Sequence, residues 1–253
     1  MQLFELGEKI KLGLLCAPNR DRFPAVRTLS VDYFAEARLD PIPKLILTEL
    51  WKDDKARVQA GMKQLANLCF QDEKREANRK VVYEVGGHAA VVGTMIKWID
   101  CPEIAAEGCR ALHNATMDNP VYRDSAVKVG AFETVLAVMR RYSNDRYVQR
   151  VGCGALHSLA KNSSNNAKRL VTELDGTRTI VAGMKAFPDS TRLQMWACFA
   201  IDDVSQWETL TGHIVDAGAL VPLAAAIEAY REIHSSEVVA IQGIARNAMK
   251  RLS

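Results

Sequence analysis

Cys109, Cys153 and Cys198, with His113 and His157 among them, are the side chains whose types could bind a metal or carry redox chemistry. Zinc needs thiolate and imidazole ligands gathered within about 2.3 Å of one point. The spacing argues against that: the cysteines follow one another by 44 and 45 positions, and each histidine stands four after its own cysteine. Residues that recur once per structural unit sit on successive layers, roughly 10 Å apart at helix packing distances, too far to share an ion. The cysteines therefore read as small core residues, and the histidines as polar groups satisfied at an edge. Asp202, Asp203 and Glu208 form a carboxylate cluster that could do acid–base work. Adjacent residues on a helix point in different directions, so the expectation is a solvated face. Gly86-Gly87 reads as a bend, and Gly-x-Ser-x-Gly, the P-loop and His-Glu-x-x-His are all absent. No catalytic residue, metal or cofactor is expected.

The elements that place these residues repeat. Gly108-Cys109-Arg110-Ala111-Leu112-His113-Asn114 and Gly152-Cys153-Gly154-Ala155-Leu156-His157-Ser158 share one pattern, and Gly61 to Asn67, Ala197 to Asp203 and Ile241 to Asn247 fit the same frame. Its last position falls at 67, 114, 158, 203 and 247, in steps of 47, 44, 45 and 44. A glycine between helical stretches falls at Gly86, Gly130, Gly176 and Gly218, in steps of 44, 46 and 42. Two markers with one period, and no strand pattern, indicate about five stacked two- or three-helix units. In the third, Phe132, Val135, Leu136 and Met139 share one helix face, and Val148, Gly152, Ala155, Leu156 and Leu159 share a face of the long helix that follows. Gly152 and Ala155 would let a neighbouring helix come close.

The expected organisation is an N-terminal cap over 1–40, broken by Pro18 and Pro24, and repeats over 41–72, 73–119, 120–162, 163–207 and 208–253. Helices are expected at Ile42–Trp51 and Asp54–Phe70, then near 73–85, 87–99 and 102–117, and again near 163–174, 176–186 and 189–204. The 33 basic and 30 acidic residues give a net charge of +3, which excludes a strong global pull toward nucleic acid or anionic lipid. A basic strip of Lys161, Lys168 and Arg169 is small and lacks an accompanying aromatic or glycine motif. The apolar run Leu12 to Ala17 ends at Pro18 and is too short for a signal or a membrane span. The chain reads as intracellular, cytoplasmic with the nucleus open to it, and its six cysteines read as reduced thiols.

A long helix reading small-Cys-x-Ala-Leu-x-Asn, followed by a short helix, a glycine and an apolar second helix, resembles the armadillo family represented by β-catenin and importin-α. The resemblance covers roughly 42 to 252 and matches no single member closely. It implies an all-α, right-handed α-solenoid whose third helices line a concave groove for an extended or helical segment of a partner protein. In peptide-reading members a Trp-x-x-x-Asn pair faces the groove. The matching positions here are Lys63 and Asn67, Arg110 and Asn114, Gly154 and Ser158, Phe199 and Asp203, and Gly243 and Asn247. The asparagine is present in three and the tryptophan in none, which argues against the importin manner of reading basic peptides and leaves Phe199 beside Asp203 as one candidate cation-accepting pocket.

Spacing alone puts Glu103, Glu107, Arg110 and Asn114 on one stripe, expected to be polar and solvent-facing, and Arg192, Trp196, Phe199 and Asp203 on its counterpart. The expected function is a protein-binding scaffold. Lys63, Arg110 and Asn114 would supply hydrogen bonds and positive charge, Trp196 and Phe199 apolar anchors, and Asp203 a counter-charge. Asn67, Ser158 and Asn247 complete the expected groove. The alternative is a structural or assembly subunit that self-associates or docks through its stack ends or convex face, with Val238, Ile241, Ala245 and Met249 in the last repeat expected to lack a cover.

Overall fold

Four side chains start helices here by the same device. Asp54 accepts from the Ala56 and Arg57 amides (2.9 and 3.1 Å), Asn119 from Val121 and Tyr122 (3.0 and 3.4 Å), and Asp145 from Tyr147 and Val148 (2.9 and 3.0 Å). Ser163 accepts from the Asn166 amide at 3.4 Å. Each satisfies N–H groups that a first helical turn leaves without a partner. The computed structural model describes residues 49–50, 52–70, 73–229 and 236–253. The expected cap over 1–40 and, apart from Glu49 and Leu50, the expected helix Ile42–Trp51 lie outside them.

Among the described residues the chain is all-α, without a strand. Its helices are α1 (Lys55–Leu68), α2 (Arg75–Glu84), α3 (Gly87–Lys97), α4 (Pro102–Thr116), α5 (Pro120–Lys128), α6 (Ala131–Arg141) and α7 (Arg146–Ala160). There follow α8 (Ser164–Lys168), α9 (Gly176–Ala186), α10 (Thr191–Ser205), α11 (Thr211–Asp216), α12 (Leu220–Ala229) and α13 (Ser236–Leu252). They form two units, one ending at Ala115 and one running from Thr116 to Ser253. In both, a short helix, a second helix and a long third helix follow in order, as the period predicts.

The bend between first and second helices needs a left-handed residue. Gly86, Gly130 and Gly218 supply it at φ 70°, 91° and 80°, where glycine has no Cβ to clash. The fourth bend departs from the expectation. Asp175 (φ 51°), not Gly176, is left-handed there, and Gly176 opens α9. The reason is one extra residue: the left-handed positions step by 44 from 86 to 130 but by 45 from 130 to 175. A π-helical turn over Arg169–Glu173, closed by the Leu174 amide on the Arg169 carbonyl at 3.1 Å, absorbs it. That wider turn lays Leu170 on Gly176, where an added Cβ would lie 2.2 Å from Leu170 Cδ1.

Within each unit the second helix packs into the third at a glycine. A Cβ on Gly108 would lie 2.3 Å from Met95 Cγ in the first unit, and one on Gly152 would lie 2.4 Å from Met139 Cγ in the second. The close approach expected at Gly152 is present. Phe132, Val135, Leu136, Met139, Val148, Ala155, Leu156 and Leu159 are all buried, as their spacing requires. In the second unit the turns into α7 and α10 are each sealed by a glutamine. Gln149 Nε2 donates to the Met139 and Tyr142 carbonyls (2.6 and 3.1 Å), and Gln194 Nε2 to those of Met184 and Phe187 (2.9 and 3.0 Å). The long helices α7, α10 and α13 then pack in series.

Candidate functional site

The side chains singled out by the repeat frame fall into two groups, one per unit. In the first, Arg110 on α4 reaches α1: its Nη1 donates to Asn67 Oδ1 at 2.7 Å and its Nη2 to the Lys63 carbonyl at 3.2 Å. Its Nε and Nη2 also bind Glu107 Oε2, one turn earlier. Asn114 Nδ2 donates to the Ala66 carbonyl at 2.8 Å, and the residue is 4% exposed. The stripe expected to be solvent-facing is therefore corrected in part. Glu103 is exposed, but Asn114 is buried and Glu107 lies largely covered beneath Arg110, because α1 passes within their reach. Lys63 is exposed.

In the second unit the equivalent positions build something different. His157 on α7 meets three residues of α10. Its Nδ1 pairs with Asp203 Oδ2 at 2.6 Å, and its ring lies 5.1 Å from Phe199 and 5.6 Å from Trp196, centroid to centroid. The Trp196 and Phe199 rings are 5.7 Å apart. All three ring pairs are tilted by about 40°, as quadrupoles prefer. Trp196 and Phe199 are half-buried. The Asp203 side chain is 8% exposed, so this carboxylate serves the His157 ring and does not stand in water as a counter-charge.

The expected solvated cluster of Asp202, Asp203 and Glu208 is thus a correction, with Glu208 alone exposed. Asp202 points the other way from Asp203 and binds Arg251 on α13. Burial pushes the Asp202 carboxyl up from its usual range, and the Arg251 guanidinium opposes that shift. Ser158 is 2% exposed, its hydroxyl 3.1 Å from both Thr116 Oγ1 and the Ala155 carbonyl, while its own carbonyl accepts from Arg123 Nε at 2.8 Å. It is a packing residue, out of reach of a partner. Asn247 is exposed on α13.

Other sequence expectations resolve simply. Cys109, Cys153 and Cys198 are fully buried, and burial pushes the Cys153 and Cys198 thiols up to about 12. Two members of the basic strip are paired, Lys161 with Asp118 at 3.3 Å and Arg169 with Glu133, while Lys168 is exposed. The stack-end argument is overturned at two of its residues, since Ile241 and Ala245 are fully buried. Val239, which that argument did not name, is 58% exposed. Among the described residues no three His, Cys, Asp or Glu side chains converge to hold a metal. No single helix there is long and apolar enough to cross a membrane, although the bent pair Glu208–Asp216 and Leu220–Ala229 passes by length and composition.

Sequence reasoning missed the His157–Asp203 pair, though the signal was present. Long-range polar bonds in both units join residues about one repeat apart: Asn67 with Arg110 (43), Asp53 with Lys97 (44), Thr116 with Ser158 (42), and His157 with Asp203 (46). Stacked repeats put such pairs face to face, so matching each polar residue with its neighbours one period later would have found it.

Triplets of helices with a left-handed bend after the first and a long third helix define an armadillo-type repeat fold. No family model matches the sequence. The chain is 27% identical over 143 residues to armadillo repeat-containing protein 6 of Pongo abelii and of Homo sapiens. That match takes in 53% of this chain but spans only 28% of those proteins. Among solved structures, an engineered protein superposes with a TM-score of 0.68 at 18% identity, covering 85% of this chain and 80% of its own. A designed armadillo repeat protein gives 0.65 at 15%, covering 83% and 99%. A second, solved in complex with the peptide (KR)4, gives 0.53 at 16%, covering 85% and 100%. These likenesses bear out the armadillo fold, one that typically serves as a protein-binding scaffold.

Proposed function

We propose that the chain is a non-catalytic, intracellular protein-binding scaffold, and that it takes a linear or helical segment of a partner on the α7–α10 face centred on Trp196 and Phe199. The observation that carries this reading is the aromatic cluster itself. Two large rings are held half-buried on a third helix by His157 and Asp203, which are themselves nearly covered. Rigid aromatic anchors with the rest of their surface open are what binding energy concentrates on. The first unit supports the reading by contrast, because its Arg110, Asn67 and Asn114 bond to their own chain. The designed neighbour's basic peptide is no guide to the ligand here, since the tryptophan–asparagine pairs of peptide-reading armadillos are not present.

The test is affinity capture by wild type, by Trp196→Ala/Phe199→Ala and by Asn247→Ala, each first shown by circular dichroism to keep its helicity. Partners should be lost from the double aromatic variant, by at least about 30-fold in affinity for a hot-spot pair of this kind. Equal capture by all three would sink the reading. Self-association is the second reading, kept by the exposure of Val221 (71%) and Val239 (58%) in the last helices. A mass that stays monomeric by light scattering at high concentration would remove it.

A further inference from the structure

The Trp196–Phe199 face continues toward the N-terminal ends of its two helices, and there it becomes basic. On α10, Arg192 precedes Trp196 by four residues and Phe199 by seven. On α7, Arg150 precedes His157 by seven. Those spacings keep each arginine on the stripe of its aromatic partner. Arg150 and Arg192, together with Arg146, Tyr147 and Asp189, line one open depression of about 520 Å3. Three arginines and one aspartate are among the residues that line it. The Arg150 guanidinium lies over the Tyr147 ring at 4.8 Å, and a guanidinium stacked by its face keeps its N–H edges for an anion. Arg146, 5.6 Å from the Phe187 ring, already holds an exposed carboxylate: its Nη2 donates to both oxygens of Asp189, at 2.9 and 3.2 Å. The depression thus displays, within the chain, the chemistry it offers to a partner.

We infer that the segment bound on this face is acidic, with an apolar residue on Trp196 and Phe199 and Asp or Glu side chains on Arg150 and Arg192. The inference rests on the binding reading above and names the class of its ligand. Seven residues of helix from Arg192 to Phe199 span roughly 10 Å, which an extended partner crosses in about three residues, so anchor and acids belong about three positions apart. Separate carboxylates suit the depression better than a phosphate chain does. Asp189 lines it and would repel a continuous line of phosphates, and the net charge of the chain is only +3.

The test is selection of random 12-residue peptides displayed on phage against the full chain, followed by fluorescence anisotropy of the enriched peptides. Wild type should enrich Asp and Glu about three positions from an apolar residue. Arg150→Glu/Arg192→Glu, which alters exposed or half-exposed residues, should weaken those peptides at least 10-fold and select Lys or Arg instead. Enrichment of neutral or basic peptides on wild type overturns the acidic preference, as does unchanged binding by the charge-reversed variant. If neutral peptides are selected and then lost with Trp196→Ala/Phe199→Ala, the binding face stands and only its charge preference falls. No enrichment on wild type overturns both. Displacement of the selected peptides by a 12-nucleotide oligothymidine at equal concentration overturns the proposal in favour of nucleic acid.

Discussion

Arg110 and Asn114 in the first unit occupy the frame positions that Phe199 and Asp203 occupy in the second, yet the two regions end in opposite states. On α4 a guanidinium and an amide reach across to α1 and bond to Asn67 and to the Lys63 and Ala66 carbonyls. On α10 a carboxylate fixes a histidine of α7, and two aromatic rings pack beside it with part of their surface open. A repeat frame thus sets where a side chain stands, while the neighbour one repeat away decides whether it is used internally. On α4 the polar side chains of Arg110 and Asn114 find partners on the adjacent helix and are used internally. On α10 the Trp196 and Phe199 rings remain half-buried.

The comparison can be stressed most strongly through histidine. His88 in the first unit is buried and hydrogen-bonded to the Ala115 backbone, and desolvation holds its pKa down to about 4 from the usual 6.5. Between those values the unfolded chain binds the proton and the folded chain does not, so stability rises with pH across the window. The contribution is complete above about pH 6.5 and lost as pH falls toward 4, a difference on the order of 3 kcal/mol. Denaturant titrations at pH 7.5 and pH 4.5 should show a loss that His88→Gln reduces.

Next in size is packing between second and third helices. Gly152→Val should destabilise by about 2 kcal/mol, since its Cβ would enter the space of Met139. Gly243→Ala in α13 meets nothing within 4 Å and should stabilise by about 0.5–1 kcal/mol through helix propensity. Thermal melts of the two variants should move in opposite directions. A further variant sharpens the contrast between regions directly. Asn114→Ala leaves the Ala66 carbonyl without its donor and should cost about 1 kcal/mol of stability by urea titration, while partner binding stays unchanged.

The fold was legible because its markers are physical necessities of stacking. The Gly108 and Gly152 positions must be small to admit Met95 and Met139, and a left-handed bend must separate first and second helices. The one misplacement, Gly176 for Asp175, arose because a π-helical turn absorbs a residue without altering the hydrophobic pattern. The site was legible only in part. Trp196 and Phe199 stood out by type, but Asn114, Ser158 and Asp203 were expected to face solvent and are buried. Their partners lie one repeat away, so a helix read alone could not show that its polar face was already met. His157 was placed at an edge without its carboxylate for the same reason.

The most direct test of the account places a photo-crosslinking benzophenone amino acid at Phe199 in one variant and at Lys63 in another, with irradiation under identical conditions in the presence of cellular proteins. The account predicts discrete adducts from position 199, suppressed by Trp196→Ala, and none from position 63. Equal labelling from both positions, or labelling from 63 alone, would contradict the claim that the α7–α10 aromatic face is where this scaffold binds.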